Sequence, residues 1–182
     1  DGLTVTTAEL NVLDASLKEN NSIWIGSDPS GTTDTASDSV AFGINALDSI
    51  TTGDSNVAIG RNALTANTTG YGNVSVGSSS MVANTTGYWN IGIGLNSLEA
   101  NTTASNNTAV GKSALTANTT GAENTAVGSG SLDANTTGNN SVALGRDSLT
   151  DNTTGSNNTG LGDNALANNT TASNNTAVGK NA

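Results

Sequence analysis

The chain contains no cysteine and no histidine among its 182 residues. Disulfides, thiol nucleophiles, imidazole acid–base catalysis and the usual zinc sites are therefore excluded. Because these absences remove most enzyme mechanisms, we expect no catalytic residue, no bound cofactor and no metal site. An enzymatic function ranks last among the functional hypotheses.

Basic residues are scarce, since 5 Lys and Arg stand against 15 Asp and Glu for a net charge of -10. Nucleic acids and anionic membrane surfaces attract cationic proteins, so neither is an expected partner. No apolar run approaches the roughly 18 residues that span a bilayer, so membrane insertion is not expected either. Because the chain starts at Asp1 without a signal-like pattern and stops within a repeat, we interpret it as a fragment.

Core-forming residues are also few, with 3% aromatic and 34% hydrophobic residues. This content of apolar residues is low for a globular protein with a single large core. The chain has instead one repeated phrase, whose cleanest copy reads NTAVGKSALTANTTGAE over residues 107–123. The glycine after the apolar triplet recurs every 17 residues, at Gly43, Gly60, Gly77, Gly94, Gly111, Gly128, Gly145, Gly162 and Gly179. This period predicts an all-β fold, a β-roll or β-solenoid of stacked 17-residue coils, over residues 38–182.

Each coil is predicted to hold two short strands and two turns. The first strand is the apolar triplet, in which a small residue precedes a large one. Successive strand residues face opposite sides, so we expect the large residue to fill the core and the small one to face a second chain. The large residues are Phe42, Ile59, Val76, Ile93, Val110, Val127, Leu144, Leu161 and Val178. The small residues, which predict a trimer interface, are Ala41, Ala58, Ser75, Gly92, Ala109, Ala126, Ala143, Gly160 and Ala177.

The second predicted strand has the pattern [AS]-L-x-A, as at Ala114-Leu115, and the NTTG turn follows it. This turn places one asparagine per coil in a single register, at Asn67, Asn84, Asn101, Asn118, Asn135, Asn152 and Asn169. Identical amides in coils about 4.8 Å apart can hydrogen-bond along the axis. The pattern therefore predicts an asparagine ladder that joins the coils.

The segment before the repeats is predicted to differ from them. Residues 1–20 carry a capping-box pattern at Thr6 and a leucine stripe, which predict a short helical or neck segment. Such a short helix must pack on the solenoid or on copies of itself. Residues 21–37 are predicted to be a capping strand and a linker that contains Pro29. Trp24 is expected to cover the first coil, and the alternative is a ligand-stacking role.

The two residues after NTTG vary most between repeats. Two adjacent repeats place Tyr71, Tyr88 and Trp89 there, on an otherwise polar side. Exposed aromatic rings can stack on sugars, so these three residues are a possible receptor contact for a host cell-surface glycan or protein. Burial between subunits or under a neighbouring loop is the alternative.

The repeated N-[ST]-[VA]-A-[VI]-G phrase resembles the head repeats of YadA-type trimeric autotransporter adhesins, which form a β-roll in a three-chain bundle. The fuller phrase NTAVGxxALxANTTGxxN and the opening TTAELNVLD are similar to tail-fibre proteins of marine bacteriophages, including cyanophages, over nearly the whole chain. The resemblance implies a parallel homotrimer in the virion, a structural tail-fibre segment that extends or presents host-receptor binding. A bacterial trimeric surface adhesin or filament subunit is the alternative, and an ice-binding solenoid with threonine rows is the third.

Overall fold

A computed structural model of the chain describes residues 22–26 and 36–182. All regular secondary structure in these residues is β, in one parallel sheet whose ten strands follow chain order. The strands are β1 Ile23–Gly26, β2 Val40–Gly43, β3 Val57–Ile59, β4 Val74–Val76, β5 Ile91–Ile93, β6 Thr108–Val110, β7 Thr125–Val127, β8 Val142–Leu144, β9 Thr159–Leu161 and β10 Thr176–Val178. The predicted all-β solenoid of stacked 17-residue coils is therefore confirmed, and its strands are parallel. The predicted helix over residues 1–20 and most of the predicted linker lie outside the described residues.

Each coil stacks directly on the next. Val57 pairs with Val74, Ala58 with Ser75 and Ile59 with Val76, an offset of 17 residues. The same offset relates every neighbouring pair from β2 to β10. Parallel strands need a long connection, which the rest of each coil provides. At about 4.8 Å per strand, the stack from β2 to β10 is roughly 40 Å long.

Strand β1 begins the sheet by pairing in parallel with β2. Trp24, opposite Ala41, is only 7% exposed and belongs to the hydrophobic core. Its neighbours Ile23 and Ile25 face outward and are exposed. The predicted capping strand is thus present at Ile23–Gly26, with Trp24 covering the first coil.

The strand residues face the opposite way from the prediction. The small middle residue lies inside the coil, as at Ala58 and Ala109, which are both 0% exposed. The large residue before the glycine faces outward, and Ile59 is 39% exposed. The expectation that the large residue fills the core was therefore wrong. The expectation that the small residues face a partner chain was wrong for the same reason.

Packing against the leucine column explains this orientation. A Cβ atom built on Gly160 would lie 3.3 Å from Leu149 Cγ, so the inward strand position is in contact with the leucine of the coil before it. The leucine, which is methionine once, is among the largest fully buried side chains of the structure. Only a small side chain then fits on the strand opposite, because protein interiors are close-packed. The column consists of Leu47, Leu64, Met81, Leu98, Leu115, Leu132 and Leu149, all of them 0% exposed.

The second predicted strand is a turn. Its leucine adopts a left-handed backbone conformation, with φ of 52° at both Leu64 and Leu115. A strand does not admit that φ, and the conformation costs a non-glycine residue about 1–2 kcal/mol. Full burial of the side chain contributes about 1.5–3 kcal/mol and offsets the cost. Hydrogen bonds to the next coil persist, since Leu64 N donates to Ser80 O at 3.2 Å.

The predicted asparagine ladder is confirmed. Asn84 Nδ2 donates to Asn67 Oδ1 of the preceding coil at 2.9 Å, and Asn101 Nδ2 donates to Asn84 Oδ1 at 2.8 Å. Asn84 Nδ2 also donates to the carbonyl oxygen of Gly87, which closes the NTTG turn. These amides are fully buried, and every buried polar side-chain atom among the described residues has a hydrogen-bond partner.

The structure contains a second asparagine ladder, which was not predicted from the sequence. It uses the asparagine directly before each strand, where Asn73 N donates to Asn56 Oδ1 at 3.0 Å and Asn73 Nδ2 donates to Gly87 O at 2.8 Å. The ladder comprises Asn56, Asn73, Asn90, Asn107, Asn124, Asn158 and Asn175, with Ser39 and Ser141 in the same register. The sequence feature that marks this ladder is the asparagine directly before each apolar triplet. The two ladders hold the NTTG turn from both ends, so this turn is a fixed part of the surface.

Candidate functional site

The outward side of the sheet is a continuous apolar strip. Because parallel strands in register stack equivalent side chains into columns, two columns of outward residues run along the solenoid. They are Ile23, Ile25, Val40, Phe42, Val57, Ile59, Val74, Val76, Ile91, Ile93, Thr108, Val110, Thr125, Val127, Val142, Leu144, Thr159, Leu161, Thr176 and Val178. None of these side chains is charged. We call this surface the apolar strip.

The apolar strip is large for the surface of a single chain. Ten strands at about 4.8 Å give it a length of roughly 45 Å. Ile25, Phe42, Ile93 and Leu144 on it are exposed, and many of the other members are half-buried. Contiguous apolar patches of this extent on soluble proteins mark interaction sites. The strip is therefore the first candidate for a functional surface.

The position after each recurring glycine forms one border of the strip. All four Lys and Arg of the described residues occupy it, and they are Arg61, Lys112, Arg146 and Lys180. Arg146 forms exposed ion pairs with Asp147 at 2.7 Å and Asp163 at 2.9 Å. Within the described residues the other three cations form no ion pair. We call this column the basic border. The recurrence of cations directly after the glycine was visible in the sequence, but it was not used to predict a charged surface.

The two positions before the second-ladder asparagine form the opposite border. They carry no cation in the described residues, and their charged members are Asp38, Asp54 and Glu123. Asp54 Oδ1 accepts hydrogen bonds from Ser37 N at 2.7 Å and from Ser37 Oγ at 3.0 Å. We call these positions the acidic border. Among the described residues, the strip is thus flanked by four cations and Asp163 on one side and by three acidic residues on the other.

The three predicted receptor-contact residues lie together on the acidic border. The rings of Tyr71 and Tyr88 stack with centroids 5.0 Å apart and an interplanar angle of 5°. Trp89 meets both rings edge-on, with its centroid 5.9 Å from Tyr71 and 5.4 Å from Tyr88. Tyr71 and Trp89 are exposed, and Tyr88 is half-buried. The prediction that the three rings form one cluster is confirmed, and their contact with a receptor remains a prediction.

Trp89 has an unusual backbone conformation for its size. Its φ is 54°, in the left-handed region that a bulky residue rarely adopts. Other repeats place Ser55, Asn106 or Asn140 at this position, with similar φ values. Gly72 makes room for the ring, because a Cβ there would lie 2.6 Å from Trp89 Cδ1. A strained residue held against a matching glycine indicates a role for the exposed indole.

The threonine rows provide one free rank of hydroxyls. The hydroxyl of the first threonine of each pair already donates a hydrogen bond to the next coil. Thr68 Oγ1 donates to Thr85 O at 3.2 Å, and Thr85 Oγ1 donates to Thr102 O at 3.1 Å. The second threonine, as at Thr69 and Thr86, is exposed. A single rank gives the ice-binding hypothesis only one free hydroxyl per coil, in one row along the solenoid. The ice-binding hypothesis is therefore less favoured than the tail-fibre and adhesin hypotheses, in which the apolar strip has a role.

Other chemistry is sparse in the described part of the chain. Within residues 22–26 and 36–182, no three acidic residues converge where they could hold a metal ion. No helix in the same residues is long and apolar enough to cross a membrane. A cavity of about 620 Å³ at the last coil is lined by Leu166, Asn169, Asn175 and Ala182. It is the cross-section of the solenoid, which a further coil covers at every earlier level.

The outer surface thus combines an apolar strip, two borders of opposite charge and one aromatic cluster. Such a surface suits binding to another macromolecule, because apolar area supplies affinity and charges set orientation. Comparisons of the chain with protein-family models, with curated proteins and with solved structures find no match.

Proposed function

We propose that this chain is a structural segment of a trimeric fibre, and specifically of a viral tail fibre that extends or presents host-receptor binding. The apolar strip is the observation that carries the proposal. A strip of roughly 45 Å is unfavourable in water, and covering it with other copies of the chain removes that cost. The result is a stiff rod with polar Asn and Thr turns on its outside.

A second copy of the chain is the occupant that fits the strip best. The columns of the strip repeat every 17 residues along the chain, at the strand spacing of the sheet. Another copy has the same spacing, so its columns stay in register along the whole length. A partner with a different repeat would lose register within a few coils.

The charged borders favour parallel copies. In a parallel ring about an axis along the solenoid, the basic border of each copy meets the acidic border of the next. An antiparallel pair across the strip would bring basic to basic and acidic to acidic. Arg61 and Asp54 illustrate the favourable case, since they flank the same coil on opposite borders. The number three is what the resemblance to trimeric adhesins and tail fibres implies.

The stacked rings of Tyr71 and Tyr88 in the aromatic cluster are the proposed place of host contact. They stand beside turns of Asn, Thr, Ser and Gly, which can hydrogen-bond a glycan but offer no apolar face. Tyr71 and Tyr88 present such a face beside hydrogen-bonding neighbours such as Ser105. Recognition of a sugar uses both kinds of contact.

Sedimentation equilibrium tests the assembly. We expect a mass of three times the 17.9 kDa chain, and a monomer would refute the proposal. Immuno-electron microscopy with antibodies against the chain tests the location. Labelled fibres on virions would support the tail-fibre function, whereas labelled bacterial cell surfaces would favour the adhesin or filament alternative.

A further inference from the structure

One coil differs from the others across the whole outer face. Around β5, the side chains of Trp89, Ile91, Ile93 and Leu95 stand in one row, with exposures of 58%, 37%, 39% and 46%. Of the nine coils from β2 to β10, only this one has a large apolar residue after the glycine and another directly before the asparagine. We call this row the apolar belt. It extends the apolar strip to both borders at a single level.

The two ends of the belt lie at nearly the same height. Residues 89 and 95 flank one strand, and six residues of a 17-residue coil correspond to a rise of about 1.7 Å. In a cyclic parallel assembly, equivalent residues of all copies share one height. The border that holds Trp89 in one copy must then face the border that holds Leu95 in the next copy.

We infer that the Trp89 indole of each copy packs against Leu95 of the neighbouring copy, so that the belts close into one apolar ring around the fibre axis, inside the assembly. This inference rests on the proposed parallel trimer and sets its register. It adds a contact between copies to the edge-on contacts that Trp89 makes with Tyr71 and Tyr88, and these contacts together offset the strain of the left-handed backbone position. Buried tryptophans with apolar partners are typical anchors of protein interfaces.

The remaining coils are compatible with this register. Pairing the borders at equal height places Asp54 beside Arg61 and Glu123 beside Ser129. It brings no two like charges together at any of the nine described coils. A register one coil higher would instead place Trp89 beside Lys112, where a cation–π contact is the alternative.

Cysteine cross-linking tests the contact, because the chain has no cysteine of its own. The double variant Trp89→Cys with Leu95→Cys, treated with an oxidant or a short bis-maleimide, is expected to give covalent trimers on a denaturing gel. Either single variant is expected to stay uncross-linked, since equivalent positions do not meet in a ring. The control pair Trp89→Cys with Lys112→Cys is one coil out of register, so we expect less cross-linking.

Three outcomes distinguish a failure of the Trp89–Leu95 contact from a failure of the fibre proposal. A trimeric mass without cross-links at 89 and 95, or with stronger ones at 89 and 112, would overturn the inferred contact and leave the fibre proposal standing. A monomeric mass for the unsubstituted chain would overturn the fibre proposal itself. Covalent trimers in the 89 and 95 pair alone support both.

A fluorescence measurement covers the case in which the cysteine variants fail to assemble. The variant Trp24→Phe leaves Trp89 as the single tryptophan. We expect its emission to be blue-shifted in the trimer and to shift to the red when Leu95→Ser is added, since serine is the residue at positions 78 and 129. Emission typical of a solvated indole in the intact trimer would contradict the contact and would leave Trp89 free for a receptor.

Discussion

At the residue scale, the asparagine ladders are the polar counterpart of the leucine column. In the ladder of the NTTG turns, the amides of Asn84, Asn101, Asn118, Asn135 and Asn152 are fully buried and donate both to the preceding coil and to their own turn. A buried amide without partners would be costly, so the repeat must supply the same residue at every level. This dependence of each coil on its neighbours explains why the asparagine recurs without a substitution from Asn67 to Asn169.

The ladder predicts a large effect for a single substitution inside it. Asn118→Ala removes the bonds to Asn101 Oδ1 at 3.0 Å and to Gly121 O at 2.9 Å, and it takes away the acceptor of Asn135 Nδ2. Asn101 Oδ1 is left buried without its donor, whereas Gly121 O and Asn135 Nδ2 each keep one other bond. An orphaned buried group costs about 1–3 kcal/mol, so we expect a loss of about 2 kcal/mol or more in denaturant unfolding. Asn168→Ala, at an exposed position, is the control and should change stability by about 0.5 kcal/mol or less. Equal effects of the two substitutions would contradict the ladder.

The stacked tyrosines predict a separable loss of binding. Replacing Tyr71 and Tyr88 with serine, the residue at Ser105 and Ser156, should leave the coil intact because other repeats use it there. We expect binding of the trimer to host cells to fall while its mass and unfolding midpoint stay unchanged. Ser156→Ala is the matched control on the same border. A lower unfolding midpoint would identify the rings as packing residues, and unchanged binding would place the receptor site elsewhere.

At the element scale, the turn after each strand depends on its glycine. Gly60 has φ of 135°, and a Cβ there would lie 2.5 Å from the carbonyl oxygen of Gly77 in the next coil. Both the backbone angle and the close approach of the next coil require the residue without a side chain. The glycine column therefore sets how closely the coils stack at the basic border.

We expect Gly60→Ala to destabilise the solenoid by about 3 kcal/mol or more in denaturant unfolding, because strain and backbone overlap add. The control is Gly130→Asn. Gly130 has φ of 69°, other repeats hold Asn62 and Asn164 in that conformation, and its nearest neighbour is the movable Asp147 carboxylate. We expect this change to stay within about 1 kcal/mol. If both substitutions were equally tolerated, the coils would not be packed as closely as the structure has them.

At the scale of the whole molecule, substitutions on the two faces of the strand are expected to have different effects, one on assembly and one on folding stability. Ile93→Asp places a charge on the apolar strip outside the core of the coil, so we expect dissociation to a folded monomer. Ala109→Leu overpacks the interior at a position that is 0% exposed, so we expect a stability loss of about 1–3 kcal/mol. Sedimentation measures the first effect, and circular dichroism with denaturant measures the second. Dissociation by Ala109→Leu without loss of folding would show that the small residues form the interface after all.

Much of this fold followed from the period. Glycines every 17 residues imply that equivalent residues stack, and stacking implies parallel strands and an asparagine ladder. The capping strand with Trp24 followed instead from the strand-like alternation that precedes the repeats. The aromatic cluster followed in the same way, because Tyr71 and Tyr88 stand one period apart and must be neighbours. These features depend only on which residues repeat.

The orientation of the strand did not follow from the period. Alternation in Val57-Ala58-Ile59 defines two faces, but it does not say which of them is inside. That choice depends on Leu64, which the pattern assigned to a second strand and which a left-handed backbone turns into the centre of the coil. Such a conformation is rare for leucine and has no signal in local preference.

The spacing and types of the residues establish the length of the coil, the register of the stack and the kinds of chemistry that the chain lacks. Which side chains lie inside the coil and which lie outside depends on how the coil packs in three dimensions. Volume explains this choice, since the buried leucine of each coil packs against the inward strand position and leaves space there for only a small residue. The large residues of the strands are thereby placed outward, and the apolar strip with its two charged borders results.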